Sequence, residues 1–221
     1  MMAFGPVMQF EVGNLSIELA PFARNDTQAF IPGLQRESVT RFLEIGCQTI
    51  ESEYEWYDRI SRSTDGVYWG IWVTSDNARN LIGTSAFHRI ERAHIHQGLT
   101  GSVITEQQYW GRGIASAAHK ARTWYGFEKL GLHRLRSGVM RGNIGSRKAL
   151  ERSGYELVYT ERNHRYADGK LQHLDNLDCL NPADWAWAQW WNGERPTAAA
   201  QRARKRTRET LEWAQAHVTL V

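Results

Sequence analysis

The spacing of apolar positions changes several times along the chain, and each change marks an element. Residues 15–22, LSIELAPF, alternate apolar and polar side chains up to a proline and predict a first strand. NDTQAFIPGL and ESVTRFLEIG predict short helical pieces separated by Pro32 and Gly33. In TIESEYEWYDRISRS the positions Ile50, Tyr54, Tyr57 and Ile60 recur at helical spacing. The period then shortens. GVYWGIWVTS (66–75) and NLIGTSAFHRI (80–90) predict an antiparallel hairpin turning at SDNARN, and GLTGSVITEQQY (98–109) adds a third strand.

A helix is predicted over roughly 113–130, then a strand at HRLRSGVM (133–140). NIGSRKALERSG (143–154) reads as a helix with Asn143 as N-cap and Gly154 just past its end. YELVYTERNHRY and KLQHLDNLDCL are two further strands. The strands flanking the 113–130 helix can lie parallel, because a helical crossover joins them. NPADW then starts a tail helix, with Asn181 as N-cap, Pro182 at N1 and Asp184 at N3. NGERPT breaks it, and a last helix carries a weak apolar stripe through Ala200, Ala203, Leu211, Ala214 and Val218. The layout is α+β with a mixed sheet, divided as a domain over 1–181 and a Trp-rich, basic helical extension over 182–221.

Composition narrows the classes little. At 221 residues and 42% hydrophobic content the chain can bury one sizeable core. A net charge of +3 permits anionic ligands without requiring them. Cys47 and Cys179 have no metal-like spacing, so neither a disulfide framework nor a metal site is expected, and a reducing cytoplasm fits. No leader and no membrane span is expected, since no window approaches the ~18 apolar residues of a span.

Candidate chemistry centres on QQYWGRGIASAA, where Gly111 and Gly113 flank Arg112 immediately before a helix. The glycines serve either a tight turn or a phosphate cradle. For the cradle, the amides of residues 110–115 would lack intrahelical acceptors, the helix dipole would favour an anion, and no carboxylate follows until Glu128. A Walker loop is excluded, because no Lys-Ser/Thr follows the second glycine. A dinucleotide fingerprint is excluded by the missing third glycine and by the preceding meander.

Two segments together decide more than the glycines alone. Gln108-Tyr109-Trp110-Gly111-Arg112-Gly113 fits the Q/R-x-x-G-x-G/A acetyl-CoA signature of the GNAT acyltransferase superfamily. LGLHRLRSGVMRGNIGSRKALERSGYE resembles the run typical of its RimJ/RimL branch, the N-terminal acetyltransferases of ribosomal proteins and their relatives. The likeness covers roughly 12–180 in element order and is specific mainly over 100–160. It implies a GNAT-type mixed, mostly antiparallel sheet with helices on both faces. It also implies acetyl-CoA as cosubstrate, with pyrophosphate on Gln108, Tyr109, Trp110, Gly111, Arg112, Gly113, Ile114 and Ala115, and pantetheine along Ile104 and Thr105.

The resemblance further implies direct attack of a free amine on the thioester, with an amide near Ile104 stabilising the oxyanion. Ser146 matches the serine that this branch is thought to use to protonate the leaving thiolate, and Asn143 is a cofactor contact or only an N-cap. The position that is often tyrosine in the superfamily is Leu150. No strong base is evident: frequent acids of the branch are replaced by Thr100 and Ala117, leaving His88, Glu91, Glu106 or a water relay. An α-amine near pKa 7.7–8.0 is roughly a tenth or more free base at neutrality, a lysine amine below about a thousandth. The expected acceptor is therefore a protein N-terminus or a small amine of similar acidity. A homodimer through the extension is a further expectation. QRARKRTR beside the indoles raises an RNA- or ribosome-binding alternative with a vestigial acyl-CoA fold; it is less favoured, because its basic residues wrap around the helix.

Overall fold

The computed structural model describes residues 3–43, 45–75, 78–167 and 169–221. In chain order its elements begin with strands β1 (Met8–Val12) and β2 (Leu15–Ala20), a 3₁₀ segment (Arg24–Phe30), and helices α1 (Ile31–Leu34), α2 (Glu37–Thr40) and α3 (Ile50–Ser61). Strands β3 (Val67–Ser75), β4 (Ala78–Glu91) and β5 (Gln97–Ile104) follow, then a 3₁₀ turn (Gln107–Tyr109) and α4 (Ile114–Trp124), which ends in a π-helical turn (Tyr125–Lys129). The remainder is β6 (Arg134–Met140), α5 (Ile144–Arg152), β7 (Glu156–Ala167), β8 (Lys170–Leu180), α6 (Asp184–Trp191), α7 (Ala198–His217) and β9 (Thr219–Leu220). This is the expected α+β class with a mixed, mostly antiparallel sheet.

Contacts group the chain into two compact units. The first holds residues up to Arg89, Gly101–Ala118 and His217–Val221. Here β1, β2, β3 and β4 pair antiparallel in sequence order, with a bulge at Ile71/Trp72. β3 is buried continuously from Val67 to Val73, which is why its sequence shows an apolar run instead of alternation. The core joins Phe22, Phe30, Leu34, Val39, Ile60, Tyr68, Trp72 and Leu81, with Trp56 and Tyr57 of α3 packed against it. Trp56 stacks on Phe22 at 6.0 Å and meets Phe30 edge-on at 6.4 Å.

The second unit holds Ile90–Thr100 and His119–Ala216. β6 pairs antiparallel with β8, β8 with β7, and the start of β5 runs parallel to β6 from Gln97↔Arg134 to Leu99↔Arg136. The expected parallel pair is thus present. The tail helices are built into this unit. Ala200, Ala203, Leu211 and Ala214 are buried on α7, and Thr207 lies 3.4 Å from the Cys179 sulfur. Gly154, at φ +94, ends α5 where a Cβ would strike Thr207. Arg204 and Arg208 both reach Asp184 and the carbonyl of Pro182, so part of the basic run is spent on the helix start it packs against. Among the described residues no helix is long and apolar enough to cross a membrane.

Several boundaries differ from expectation. β1 precedes the strand read as first: Met8–Val12, MQFEV, alternates apolar and polar residues but is only five residues long. Pro32 and Gly33 lie inside α1, where proline suits a first turn, and the break falls at Gln35–Arg36 instead. β5 stops at Ile104, five residues short of Tyr109. The N-cap of α6 is Ala183: the Asn181 side chain accepts from the Ala183 amide and donates to Leu132, so it closes a turn one step before the helix. Val218 lies beyond α7, whose sequel pairs β9 with Met8 and Gln9. Positions 76 and 77 of the expected SDNARN turn, and position 44 of ESVTRFLEIG, lie outside the described residues.

Candidate active site

The site begins with the way β5 ends. Buried Thr105 directs both its amide (2.9 Å) and its hydroxyl (3.1 Å) to the carbonyl of Ile82 in β4. Gly33 of α1 lies so close that a Cβ there would strike the Thr105 backbone. Two residues on, Gln107 donates to the hydroxyl of Ser38. So pinned, the chain makes one 3₁₀ turn, in which Trp110 N–H bonds the Gln107 carbonyl, while the Trp110 indole N–H reaches back to the Ile104 carbonyl at 2.8 Å. Gly111 and Gly113 then take φ of +73 and +88. A Cβ at Gly111 would meet nothing within 4 Å, so conformation and not crowding asks for glycine.

From Gly111 through Ser116 no amide has an acceptor among the described residues; Ala117 N–H, bonding the Gly113 carbonyl, is the first that does. The opening turn of α4 has no acidic residue. Six amides without acceptors, the positive end of a helix and the exposed Arg112 give this stretch the chemistry that suits an anion. Gln108 is exposed and donates to Glu106 at 2.6 Å, and Tyr109 lies 6.0 Å from the Arg112 guanidinium. Of the residues expected to bind pyrophosphate, Trp110 has its amide already committed, and Thr105, expected along pantetheine, has its amide committed too. Ile104 keeps a bonded carbonyl at the strand end, and Ile114 is buried.

Asn143 and Ser146 lie in the second unit. Asn143 caps α5, its Oδ1 accepting from Ser146 N–H at 3.1 Å, as its sequence position predicts. The next residue, Arg147, donates to Glu151 at 2.6 Å and to buried Asp175 at 2.8 Å; Asp175 also accepts from Arg141 and Thr160. Burial alone would push the Asp175 carboxyl up, but these bonds and the Arg141 and Arg147 charges hold it below its ordinary range. The first turn of α5 is therefore fixed from within its own unit.

Thr100, Ala117 and Leu150 stand where the superfamily often has acids or a tyrosine, and the base candidates are His88, Glu91 and Glu106. Thr100 donates to the Arg136 carbonyl, Ala117 is buried, and Leu150 is buried without a polar atom. Glu91 accepts the amides of His94 and Ile95, and these bonds lower its pKa. Glu106 accepts from Gln108. His88 stands over Gly101 and meets the Tyr68 ring at 5.8 Å.

Residues 16–156 match the family model of the acetyltransferase (GNAT) domain. The chain belongs to this family. Such an acetyltransferase transfers acetyl groups to amines. YjcK of Bacillus subtilis (strain 168), described as a probable N-acetyltransferase, is 30% identical over 130 residues, 59% of this chain and 70% of its own length. Among solved structures, a spermidine N-acetyltransferase from Vibrio cholerae, in complex with CoA and spermine, has a TM-score of 0.67 at 17% identity, covering 75% of this chain and 95% of that one. Mycobacterium smegmatis RimJ, in complex with CoA-disulfide, has a TM-score of 0.65 at 16% identity, covering 98% and 96%. These two likenesses are likenesses of fold.

One notable side chain of this GNAT protein escaped the sequence reading. Glu53 on α3 is only 6% exposed, and desolvation raises its pKa from 4.5 to about 7. A carboxyl whose folded pKa is raised keeps its proton while the unfolded chain ionises, so its penalty grows from pH 4.5 to about 7 and is constant above. That shift corresponds to about 3 kcal/mol. Glu53→Gln is accordingly expected to stabilise the protein by up to about 3 kcal/mol at pH 8 and by almost nothing at pH 4, measured by urea denaturation. An equal effect at both pH values would contradict the assignment.

Proposed function

We propose that this acetyltransferase uses acetyl-CoA and passes the acetyl group to a primary amine in a ternary complex. The supporting observation is the row of unbonded amides from Gly111 to Ser116, set by two left-handed glycines at the position of the family's signature. In this reading the amides of Gly111, Arg112, Gly113, Ile114 and Ala115 hold the pyrophosphate, with Arg112 adding charge. Gln108, Tyr109 and Trp110 shape the turn before them, and Ile104 and Thr105 mark where pantetheine runs. The solved relatives bound to CoA or CoA-disulfide support the cosubstrate, and their names support a protein N-terminus of the RimJ/RimL type or a small amine as acceptor. Residues 1–181 carry the reaction in this proposal, and 182–221 form an extension whose tryptophans and arginines pack against their own unit: Arg134 lies 5.0 Å from the Trp190 ring and Arg204 4.5 Å from that of Trp187.

Acetyl-CoA at a hundred times its Kd is expected to stabilise the protein by about 2.7 kcal/mol, a Tm rise of about 5–10 °C for a chain of this size. Gly113→Asp, which sets a carboxylate against the phosphates, is expected to abolish the rise. Gly113→Asn, a similar burden on the backbone without charge, is expected to keep most of it. No rise in the wild type, or equal rises in both variants, would overturn the cosubstrate assignment. Ser146 is proposed as the group that protonates the departing thiolate. Ser146→Ala is expected to lower kcat about 10²-fold while leaving the Kd for acetyl-CoA within a factor of two; unchanged turnover would remove Ser146 from the chemistry.

A further inference from the structure

Helix α4 buries two side chains that can both carry positive charge. His119 is 4% exposed and Arg122, one helical turn further on, is fully buried. Arg122 Nη2 lies 2.6 Å from His119 Nδ1. A guanidinium offers donors only, so His119 Nδ1 is the acceptor, and the imidazole carries its one proton on Nε2. This contact fixes both the charge and the tautomer of the histidine.

The pair continues into the core of the second unit. Arg122 also donates to the hydroxyl of Tyr155, a fully buried residue just ahead of β7. Thr100 Oγ1 lies 3.5 Å from that hydroxyl and spends its own proton on the Arg136 carbonyl at 3.0 Å, so the Tyr155 O–H points at Thr100. A directed chain thus runs from His119 and Arg122 on α4 to Thr100 on β5 and the backbone of β6. The neighbouring ionisable groups bring no negative charge to it. Burial raises the Tyr155 phenol and pushes the Cys179 thiol of β8 up to about 12, which leaves both neutral. Lys120, next along α4, is half-buried and acted on by Arg152 of α5 and Glu209 of α7. No carboxylate is among the groups that shift His119 or Arg122. Burial first, and the Arg122 charge second, push the His119 imidazole well below its ordinary range.

We propose that His119 and Arg122 form an acid-sensitive latch, in which the neutral imidazole accepts from the guanidinium and a proton taken up from solvent at Nδ1 opens the pair. The imidazolium loses its acceptor nitrogen and would set two cations 2.6 Å apart, buried among neutral neighbours. Arg122 cannot relieve this by giving up its own proton. The unfolded chain has no such restraint, and its histidine takes the proton near pH 6.5. Above about pH 6.5 both states hold a neutral histidine, and the latch contributes in full. Below it the unfolded state binds one proton more than the native state, so stability falls until the native histidine is protonated too. The latch lies on the helix whose opening turn carries the proposed cofactor site, and it stands independently of that assignment.

His119→Gln is the informative variant, because its amide oxygen can accept the same bond and never takes a proton. Each pH unit below 6.5 is expected to raise the unfolding equilibrium constant of the wild type about tenfold relative to this variant. Between pH 7.5 and pH 5.0, urea denaturation is therefore expected to show a rise roughly 30-fold greater in the wild type. Two pH profiles that run parallel, at whatever offset, would overturn the proposal. The state of the ring is read in the unsubstituted protein by a long-range ¹H–¹⁵N correlation spectrum. It is expected to show His119 neutral and protonated at Nε2 from about pH 7.5 down to about pH 5.5. An imidazolium across that range, or a neutral ring protonated at Nδ1, would overturn the proposal as well, and this reading stands even where His119→Gln fails to fold.

Discussion

Two hydrogen bonds from Thr105 to the carbonyl of Ile82 fix where β5 stops, and the geometry of the cofactor candidate follows from that stop. With the strand ended there, only one 3₁₀ turn fits before α4, and the Trp110 indole closes it on the carbonyl of Ile104. The next two non-helical bends fall at Gly111 and Gly113, whose positive φ an L side chain adopts only at a cost of about 1–2 kcal/mol. The helix then starts at Ile114, whose burial anchors its first turn. Removing the Thr105 anchor would leave the start of the turn undetermined, and with it the direction in which the amides point.

The proposed function divides its work between backbone and side chains. Anion binding falls to the backbone, where neither pH nor side-chain rotamers alter the donors and no acid in the first turn of α4 competes. Proton handling falls to side chains that lie elsewhere in the chain. Glu53 is a carboxyl raised by desolvation, which costs stability once the unfolded chain ionises. The Asp175 network with Arg141, Arg147 and Thr160 is the opposite case, a buried carboxylate fully served by its own unit.

Much of this was legible in the sequence, because it rests on local rules. The α3 periodicity, the β3–β4 hairpin, the parallel pair around α4, the Asn143 cap and the Gly154 stop each depend on a few adjacent residues, and each is observed. What was missed depends on distant partners. β1 alternates, as MQFEV, but five residues are a short signal, and its pairing with β2 and β9 is what makes it a strand. Asn181 looked like a helix cap until Leu132 engaged its side chain. The stripe on α3 was read through Ile50, Tyr54, Tyr57 and Ile60, a choice guided by hydrophobicity. The buried face runs through Glu53 and Trp56 as well, and hydropathy cannot flag a carboxylate on that face.

The central claim is that the backbone of residues 111–116 is the anion cradle. The most direct measurement is an amide-resolved ¹⁵N–¹H spectrum recorded while coenzyme A is titrated in. The account predicts that the amides of Gly111, Arg112, Gly113, Ile114, Ala115 and Ser116 show the largest shifts, with those of Thr105 and Trp110, already bonded to protein carbonyls, moving less. Uniformly small shifts across 111–116 at saturating coenzyme A would contradict it.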